Sequence, residues 1–225
     1  MKTYLYPANI LLPKRDFEKW AVIACDQYTS DKEYWQDVES KVGESPSALK
    51  LVLPEIYLNE TDKKVPIINK TMDEYLESEV FDTLENSFVY IEREITGGGL
   101  RKGLLGLIDL ADYEYVSSSD ALIRATEQTV KERIPPRVKI RKDAPLEFPH
   151  VLLFINDAEN KVIDSFDKSS LQKLYDFDLM KNGGHIEGYK VDGALSGTIN
   201  QSLEELIKDG LLFAVGDGNH SLATA

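Results

Sequence analysis

Short apolar segments of strand length are interspersed with helical patterns along this chain, but the two do not alternate strictly. Strict alternation would favour a doubly wound parallel sheet, whereas an irregular mixture favours an α+β fold. At 225 residues the chain is long enough to bury a core without disulfides or metals. We therefore expect one α+β region over residues 1–225, a mixed sheet with packed helices, with a candidate subdivision into 1–110 and 111–225.

Strands are predicted where apolar or alternating runs are short and bounded by turn residues. They cover residues 20–25, 88–95, 100–110, 151–155, 161–166, 185–191 and 211–215. Gly97-Gly98-Gly99 separates two of these strands. It indicates a flexible hairpin turn and not a phosphate-binding loop, because no helix start follows it.

Helices are predicted from capping residues and from apolar positions spaced by three or four residues. One is capped by Ser30 and ended by Gly43, and the others cover residues 71–84, 119–133, 169–176 and 198–208. For the helix over 119–133, Ser119 is the expected N-cap and Pro135-Pro136 the expected stop.

Charge and cysteine content exclude several classes of protein. The formal net charge of −13 argues against a nucleic-acid-binding surface, since phosphate backbones are bound by clustered Lys and Arg. The net charge does not exclude binding of a nucleotide, because a nucleotide needs only a local positive pocket. The one cysteine, Cys25, excludes an intramolecular disulfide, and no signal peptide or membrane-length apolar run is present. We expect a cytoplasmic protein that binds neither nucleic acid nor a membrane.

The most distinctive local pattern is Gly-Asp-Gly-Asn-His-Ser at residues 216–221, between a predicted strand and a predicted helix. Glycines allow the backbone to approach a ligand, and a helix N-terminus favours a bound anion. Asp217 offers a carboxylate for a metal or for proton transfer, and His220 offers a group that titrates near neutral pH. An ordinary Asp-Gly turn capped by Asn219 explains the same residues, so both interpretations stay open.

Three charged residues are weaker candidates. Arg124 and Glu127 are three residues apart and would share one face of the predicted helix. They would form either an anion-binding pair or a solvent-facing ion pair, and the second is the commoner arrangement. Asp26 follows the predicted strand 20–25, where it serves either an active site or a simple turn.

Cysteine and histidine give little support for a nucleophile or a metal centre. Cys25 ends an apolar run without an adjacent histidine, which is typical of an inert core thiol. His150, His185 and His220 lack the short spacing of a metal-binding motif. The first two each begin an apolar strand and are predicted to be edge histidines.

Four segments together resemble the bacterial and archaeal family catalogued as domain of unknown function 1015. They are WAVIACDQYTS at residues 20–30, LIRATE at 122–127, ERIPPR at 132–137 and GDGNHSLATA at 216–225. The similarity extends along the whole chain, and members of that family are typically longer. The chain also stops in the first turns of a predicted helix without a cap. We therefore expect it to be a fragment of a longer protein.

Many members of that family have Asp-Gly-His-His-Arg in the last segment. Here Asp217, Gly218 and His220 match, while Asn219 and Ser221 replace the first His and the Arg. The Asp-Gly-x-His signature is similar to the phosphate-binding motif of the ParB/sulfiredoxin-like fold. That fold includes nucleotide-dependent free-serine kinases, ATP-using sulfiredoxin and CTP-binding ParB. The resemblance therefore implies a nucleotide-binding core at this turn.

The leading hypothesis is a kinase-like phosphotransferase that uses ATP or another nucleotide with Mg²⁺ and acts on a small molecule. In it, Asp217 holds Mg²⁺ or helps to position the transferred group, and His220 is a general acid/base or a phosphate contact. Glu127 or Asp26 activates the acceptor hydroxyl. The residues expected to bind the nucleotide are Gly216, Gly218, Asn219, Ser221 and Arg124, the last in place of the missing arginine. The alternatives are a nucleotide-responsive interaction module without catalysis and a metal-dependent hydrolase that uses Asp217 and His220.

Overall fold

The chain folds as two β-sheets with packed helices, which confirms the α+β class; the computed structural model describes residues 2–116, 119–148 and 150–225. Strands β1 to β9 are Ala8–Pro13, Phe81–Glu94, Leu100–Leu105, Tyr113–Glu114, Ile123–Ala125, Leu152–Phe154, Gln172–Asp178, His185–Asp192 and Phe213–Asp217. Helices α1 to α6 are Phe17–Trp20, Lys32–Val42, Thr61–Glu77, Ile134–Arg141, Ser196–Glu205 and Asn219–Thr224. Within the described ranges, each helix is too short or too polar to cross a bilayer.

The first sheet is antiparallel and has the strand order β1-β2-β8-β7, with β3 added beside β2. β2 is 14 residues long, and its first half pairs with β1 while its second half lies between β3 and β8. Gly97-Gly98-Gly99 closes the β2–β3 hairpin, in which Glu94 pairs with Leu100. The predicted hairpin turn is therefore confirmed.

The second sheet has the order β4-β5-β9-β6, in which β4, β5 and β9 are parallel and β6 is antiparallel. Ala125 at the end of β5 pairs with Val215 near the end of β9. The hydroxyl of Thr126 donates to the Val215 carbonyl at 2.7 Å. The segments that follow β5 and β9 are therefore brought together, at the edge where α/β sheets commonly bind ligands.

The main core lies between the two sheets and helix α5. Phe88 and Val191 come from the first sheet, Ile123 and Val215 from the second, and Ile199 from α5, and all are at most 2% exposed. Two smaller apolar clusters lie around α2 and α3. The residues of the predicted strand 20–25 pack into these clusters and form no strand, because Trp20, Val22 and Ile23 contact helical partners.

The helix predicted over residues 119–133 is wrong. Residues Ile123–Ala125 form the strand β5, because this segment pairs with β4 on one side and with β9 on the other. Ile123 and Ala125 are buried on one face of the sheet, as expected for alternate residues of a strand. Pro135 and Pro136 begin helix α4 and do not end one. Proline is well tolerated there, because the first amides of a helix have no intrahelical acceptor.

Other boundaries also differ from the sequence-based predictions. The helix predicted over 71–84 is α3, displaced toward the N-terminus, because residues 81–84 pair with β1. The helix predicted over 169–176 is replaced largely by β7, which pairs with β8. Residues 161–166 form turns whose amides bond to Asp157, not a strand. The helix after Ser30 is confirmed as α2 and ends at Gly43, although its cap is Asp31, which accepts from the Tyr34 amide at 2.9 Å.

Candidate functional site

The 216–221 turn (residues 216–221) joins the end of β9 to α6, so the predicted strand–turn–helix arrangement is confirmed. Gly218 precedes α6 with φ 81°, in the left-handed region. A Cβ atom on Gly218 would lie 2.0 Å from the carbonyl oxygen of His150, and one on Gly216 would lie 1.8 Å from the Phe154 ring. Glycine is therefore required at position 218, where the clash is with backbone, while a side chain at position 216 would displace the exposed Phe154 ring.

Side chains of the turn bond to its own backbone. The Gly218 amide donates to Asp217 Oδ1 at 2.8 Å, and the His220 amide donates to Asn219 Oδ1 at 2.9 Å. Asn219 is 5% exposed and its Nδ2 donates to Thr129 at 3.3 Å. Since two of its amides are already engaged, the turn offers an incomplete anion cradle by itself. Positive charge for a bound phosphate has to come from neighbouring side chains.

His220 is held in one protonation state by its surroundings. The side chain is buried, and the Val130 amide donates to its Nε2 at 3.0 Å. A neutral ring that accepts at Nε2 carries its proton on Nδ1. Burial lowers the pKa of His220, and the nearby positive charges of Arg137 and Arg133 lower it further. His220 is therefore a neutral hydrogen-bond donor at neutral pH.

Three arginines approach the turn from the segment that contains α4. Arg133, Arg137 and Arg141 are spaced by four residues, which places them along one helix face. Arg141 Nη1 donates to the Ser221 carbonyl at 2.8 Å. The guanidinium groups of Arg137 and Arg133 both pair with the carboxylate of Glu55, the second at 3.5 Å. The Arg137 and Glu55 side chains are only 18% and 11% exposed, so this pair is largely shielded from water.

The segment with Cys25 and Asp26 lies against Glu55. The Glu55 amide donates to the Cys25 carbonyl at 2.7 Å. Burial, together with the negative charges of Asp26 and Glu55, raises the pKa of the Cys25 thiol to about 11. This value disfavours the reactive thiolate, as expected for an inert thiol. One oxygen of Asp26, Oδ1, is buried and has no hydrogen-bond partner among the residues that the structure describes.

The predicted site residues are only partly brought together. Asp217 and His220 share the turn, and the charge of exposed Glu127 acts on the His220 ring. Arg124 lies on strand β5, so the prediction that it shares a helix face with Glu127 is wrong. Its guanidinium donates to the carbonyls of Ala121 at 2.7 Å and of Asp209 at 3.3 Å, which precede β5 and β9. Arg124 therefore lies toward the edge of the sheet opposite Asp217.

Sequence reasoning missed Arg133, Arg137 and Glu55. The available signal was the arginine spacing of four residues in ERIPPRVKIR, which marks a helix face only if the helix begins at the prolines. Glu55 has no local signal, because it lies 82 residues from Arg137 along the chain.

Comparison with known families matches residues 5–225 to a family described as a protein of unknown function, DUF1015. The chain belongs to the DUF1015 family. No curated protein and no solved structure matches it. In this DUF1015 chain, the segments 20–30, 122–127, 132–137 and 216–225 all contribute to the neighbourhood of His220. Residues distant in sequence thus converge on one partly buried, arginine-lined position.

Proposed function

We propose that this DUF1015 protein binds the phosphate groups of a nucleotide beside His220 and transfers a phosphoryl group to a small molecule. The observation that carries the proposal is the packing of α4 against α6, which brings Arg137 and Arg133 close enough for their charges to lower the pKa of the buried His220. Arginine matches phosphate oxygens with two parallel hydrogen bonds, and such charge-assisted bonds are strong. The proposal retains the likeness of the 216–221 turn to the Asp-Gly-x-His turn of the ParB/sulfiredoxin-like fold.

In the proposed site the arginines supply the charge and His220 supplies a fixed donor. The lowered pKa of His220 favours a hydrogen bond from Nδ1 to a phosphate oxygen over a role as a general acid near pH 7. Gly216, Gly218, Asn219 and Ser221 line the bound group. We assign the phosphate contact to Arg137 and Arg133 and not to Arg124, because the Arg124 guanidinium bonds to the carbonyls of Ala121 and Asp209, which precede β5 and β9, whereas the turn follows β9.

Asp217 fits the role of a magnesium ligand. Its Oδ1 accepts from the Gly218 amide, while Oδ2 lies 3.9 Å from His150 Nδ1 on a side chain that is 39% exposed. Mg²⁺ in nucleotide sites is commonly held by one or two carboxylates together with the phosphates themselves. When bound, Mg²⁺ would neutralise phosphate charge. The candidate groups for activating an acceptor hydroxyl are Glu127, which is exposed, and Asp26, one oxygen of which has no partner within the described ranges.

Glu55 suggests a second candidate function, a nucleotide-responsive interaction module. Its carboxylate pairs with the same two guanidinium groups that would bind phosphate. An incoming phosphate therefore competes with Glu55, and its binding would release the contact between α4 and the segment before α3. In this second candidate function, nucleotide binding changes the conformation of the protein and no covalent bond is broken.

The binding site is tested by calorimetric titration of the protein with ATP, ADP, CTP and GTP in the presence of Mg²⁺. Arg137→Gln removes a charge-assisted contact of about 1.5–3 kcal/mol, so affinity should fall about 10- to 100-fold. Arg101→Gln makes the same charge change at an exposed position on β3 and should leave affinity within about twofold. Glu55→Gln should raise affinity, because the competing carboxylate charge is removed.

Opposite effects of the Arg137 and Glu55 substitutions would distinguish a ligand site from a structural ion pair, since breaking a structural pair weakens the fold from either side. Failure of every nucleotide to bind the folded protein would contradict the proposal. Turnover then separates the candidate functions. A kinase consumes nucleotide only when an acceptor is present, and a module binds without turnover. A metal-dependent hydrolase, the remaining alternative, requires metal and no nucleotide.

A further inference from the structure

A second group of ionisable side chains lies on the first sheet, on strands β7 and β8. These strands are antiparallel neighbours in which Asp176 pairs with Glu187 and Asp178 pairs with His185. Alternate residues of a strand share a face, and paired residues project on the same side of a sheet. The four residues, here called the β7–β8 cluster, therefore form one patch with two ligand-type side chains from each strand.

The side chains of the β7–β8 cluster lie close enough together for one cation to contact three of them after a small adjustment. One ligand atom each from Asp176, His185 and Glu187 lies within 4.8 Å of the other two. His185 Nε2 lies 2.9 Å from Asp176 Oδ1, and His185 Nδ1 lies 2.8 Å from Asp178 Oδ1. Since both ring nitrogens face carboxylate oxygens, the ring in this arrangement carries two protons. The proton on Nε2 thus occupies the position between imidazole and carboxylate that a metal ion would take.

We propose that Asp176, His185 and Glu187 bind a divalent transition metal of the zinc type, with Asp178 as the residue that orients His185. One imidazole nitrogen and two carboxylates make a three-ligand site, the number that zinc uses when a fourth position stays open. A metal-bound histidine typically donates its other N–H to a carboxylate, which fixes the ring. Asp178 stands in that relation to Nδ1.

The identity of the ligand set selects the metal class. Imidazole suits Zn²⁺, Cu²⁺ and Ni²⁺, whereas Mg²⁺ and Ca²⁺ prefer sites made only of oxygen. Asp176 and Glu187 are like charges directly opposite each other on paired strands, and a divalent ion would neutralise both, as Lys173 does in its absence. The three ligand side chains are 26% to 42% exposed and Asp178 is 91% exposed, so an ion can enter from solvent.

The Tyr189 hydroxyl donates to Glu187 Oε2, and the Lys168 ammonium lies 3.6 Å from the same oxygen, so one side of this carboxylate is already engaged. Lys173 competes for the position between the ligands. Its ammonium group pairs with Asp176 and lies 3.5 Å from Glu187 Oε1. The lysine side chain is 44% exposed on a flexible stem, so it can move into solvent when a divalent ion arrives. Lys173→Ala should therefore raise metal affinity. The same substitution would have no such effect if the cluster were only a network of salt bridges.

Protons compete with the metal as well. The hydrogen bond to Asp178, supported by Asp176, raises the pKa of His185, and the carboxylates of Glu187 and of Glu94, paired with His185 on β2, add to the negative field. Lys173 opposes that field. Metal binding requires the loss of the Nε2 proton. Apparent affinity should therefore rise with pH until His185 is deprotonated and then level off.

The test is calorimetric titration of the protein with Zn²⁺ at pH 7.5, with Co²⁺ absorption as an independent readout of coordination by nitrogen and oxygen. We expect Zn²⁺ binding that His185→Gln weakens more than tenfold and Asp178→Asn weakens about 10- to 100-fold. His150→Gln, at a histidine near Asp217, is the matched control and should leave this binding unchanged.

Thermal melts establish that each variant is folded before its affinity is compared. Absence of saturable Zn²⁺ binding to the folded wild-type protein would overturn the proposal. Binding that survives both His185→Gln and Asp178→Asn would overturn it too, as would binding that only His150→Gln removes. The site does not depend on the nucleotide proposal, since it lies on the other sheet.

Discussion

Gly218→Ala is expected to destabilise the protein by about 2–5 kcal/mol. A residue with a Cβ atom costs about 1–2 kcal/mol in the left-handed conformation that Gly218 adopts at φ 81°. The added Cβ would also lie 2.0 Å from the His150 carbonyl oxygen, so the β6 segment or the turn has to move by about 1 Å. Such overpacking costs about 1–3 kcal/mol. For a chain of this size the sum corresponds to a fall in Tm of about 4–20 °C.

Gly197→Ala is the matched control, because it makes the same chemical change with the opposite expected sign. Gly197 lies in helix α5, has no positive φ, and has open space where its Cβ would be. Alanine there should stabilise the protein by about 0.4–1 kcal/mol. Scanning calorimetry on both variants measures the change in Tm and shows whether the two substitutions have opposite effects on stability. A Gly218→Ala protein as stable as wild type would refute the described geometry of the turn.

Three further predictions concern Asn200, the two histidines with shifted pKa values, and Cys25. Asn200→Ala should cost about 2–4 kcal/mol in urea unfolding, because Asn200 Oδ1 accepts from the amides of Tyr4 and Leu5; a loss below about 0.5 kcal/mol would contradict this. In NMR titrations His185 should titrate above the ordinary histidine pKa and His220 below it; the reverse order would be incompatible with the structure. Because unfolded His220 binds its proton more tightly, its contribution to stability should be lost as pH falls from about 6.5 through the folded pKa. With a pKa of about 11, the Cys25 thiol should react with disulfide reagents at pH 7.5 about two orders of magnitude more slowly than a free thiol, and an equal rate would rule out its burial.

The parts of the fold that could be predicted are those fixed by local chemistry. The turn at Gly97-Gly98-Gly99, the end of α2 at Gly43 and the strand–turn–helix around Gly218 each depend on glycine at a defined place. The hydrophobic pattern of residues 185–191 gave β8 nearly to its ends. In these cases the residues that specify the structure are neighbours in the sequence.

Predictions failed where pairing with distant segments decided the structure. Arg124 and Glu127 suit a helix by local spacing, but parallel partners on both sides of β5 make that segment a strand. The error placed the predicted end of a helix at Pro135, which in fact lies in the first turn of α4. It also hid the arginine face, since Arg137 lay beyond the supposed stop.

The two proposed sites also differ in whether neighbouring residues or distant segments form them. The β7–β8 cluster can be identified from the sequence once the strands are known. Asp-Phe-Asp at residues 176–178 and His-Ile-Glu at 185–187 each place two ligand-type side chains on one face of a strand. The position beside His220 has no such period, because Glu55, Arg137 and His220 come from three separate segments. Substitutions in Asp-Phe-Asp or His-Ile-Glu should consequently alter metal binding by the β7–β8 cluster and leave nucleotide binding unchanged. Changes that shift α4 against α6 should alter nucleotide binding even when every residue that contacts the phosphate is intact.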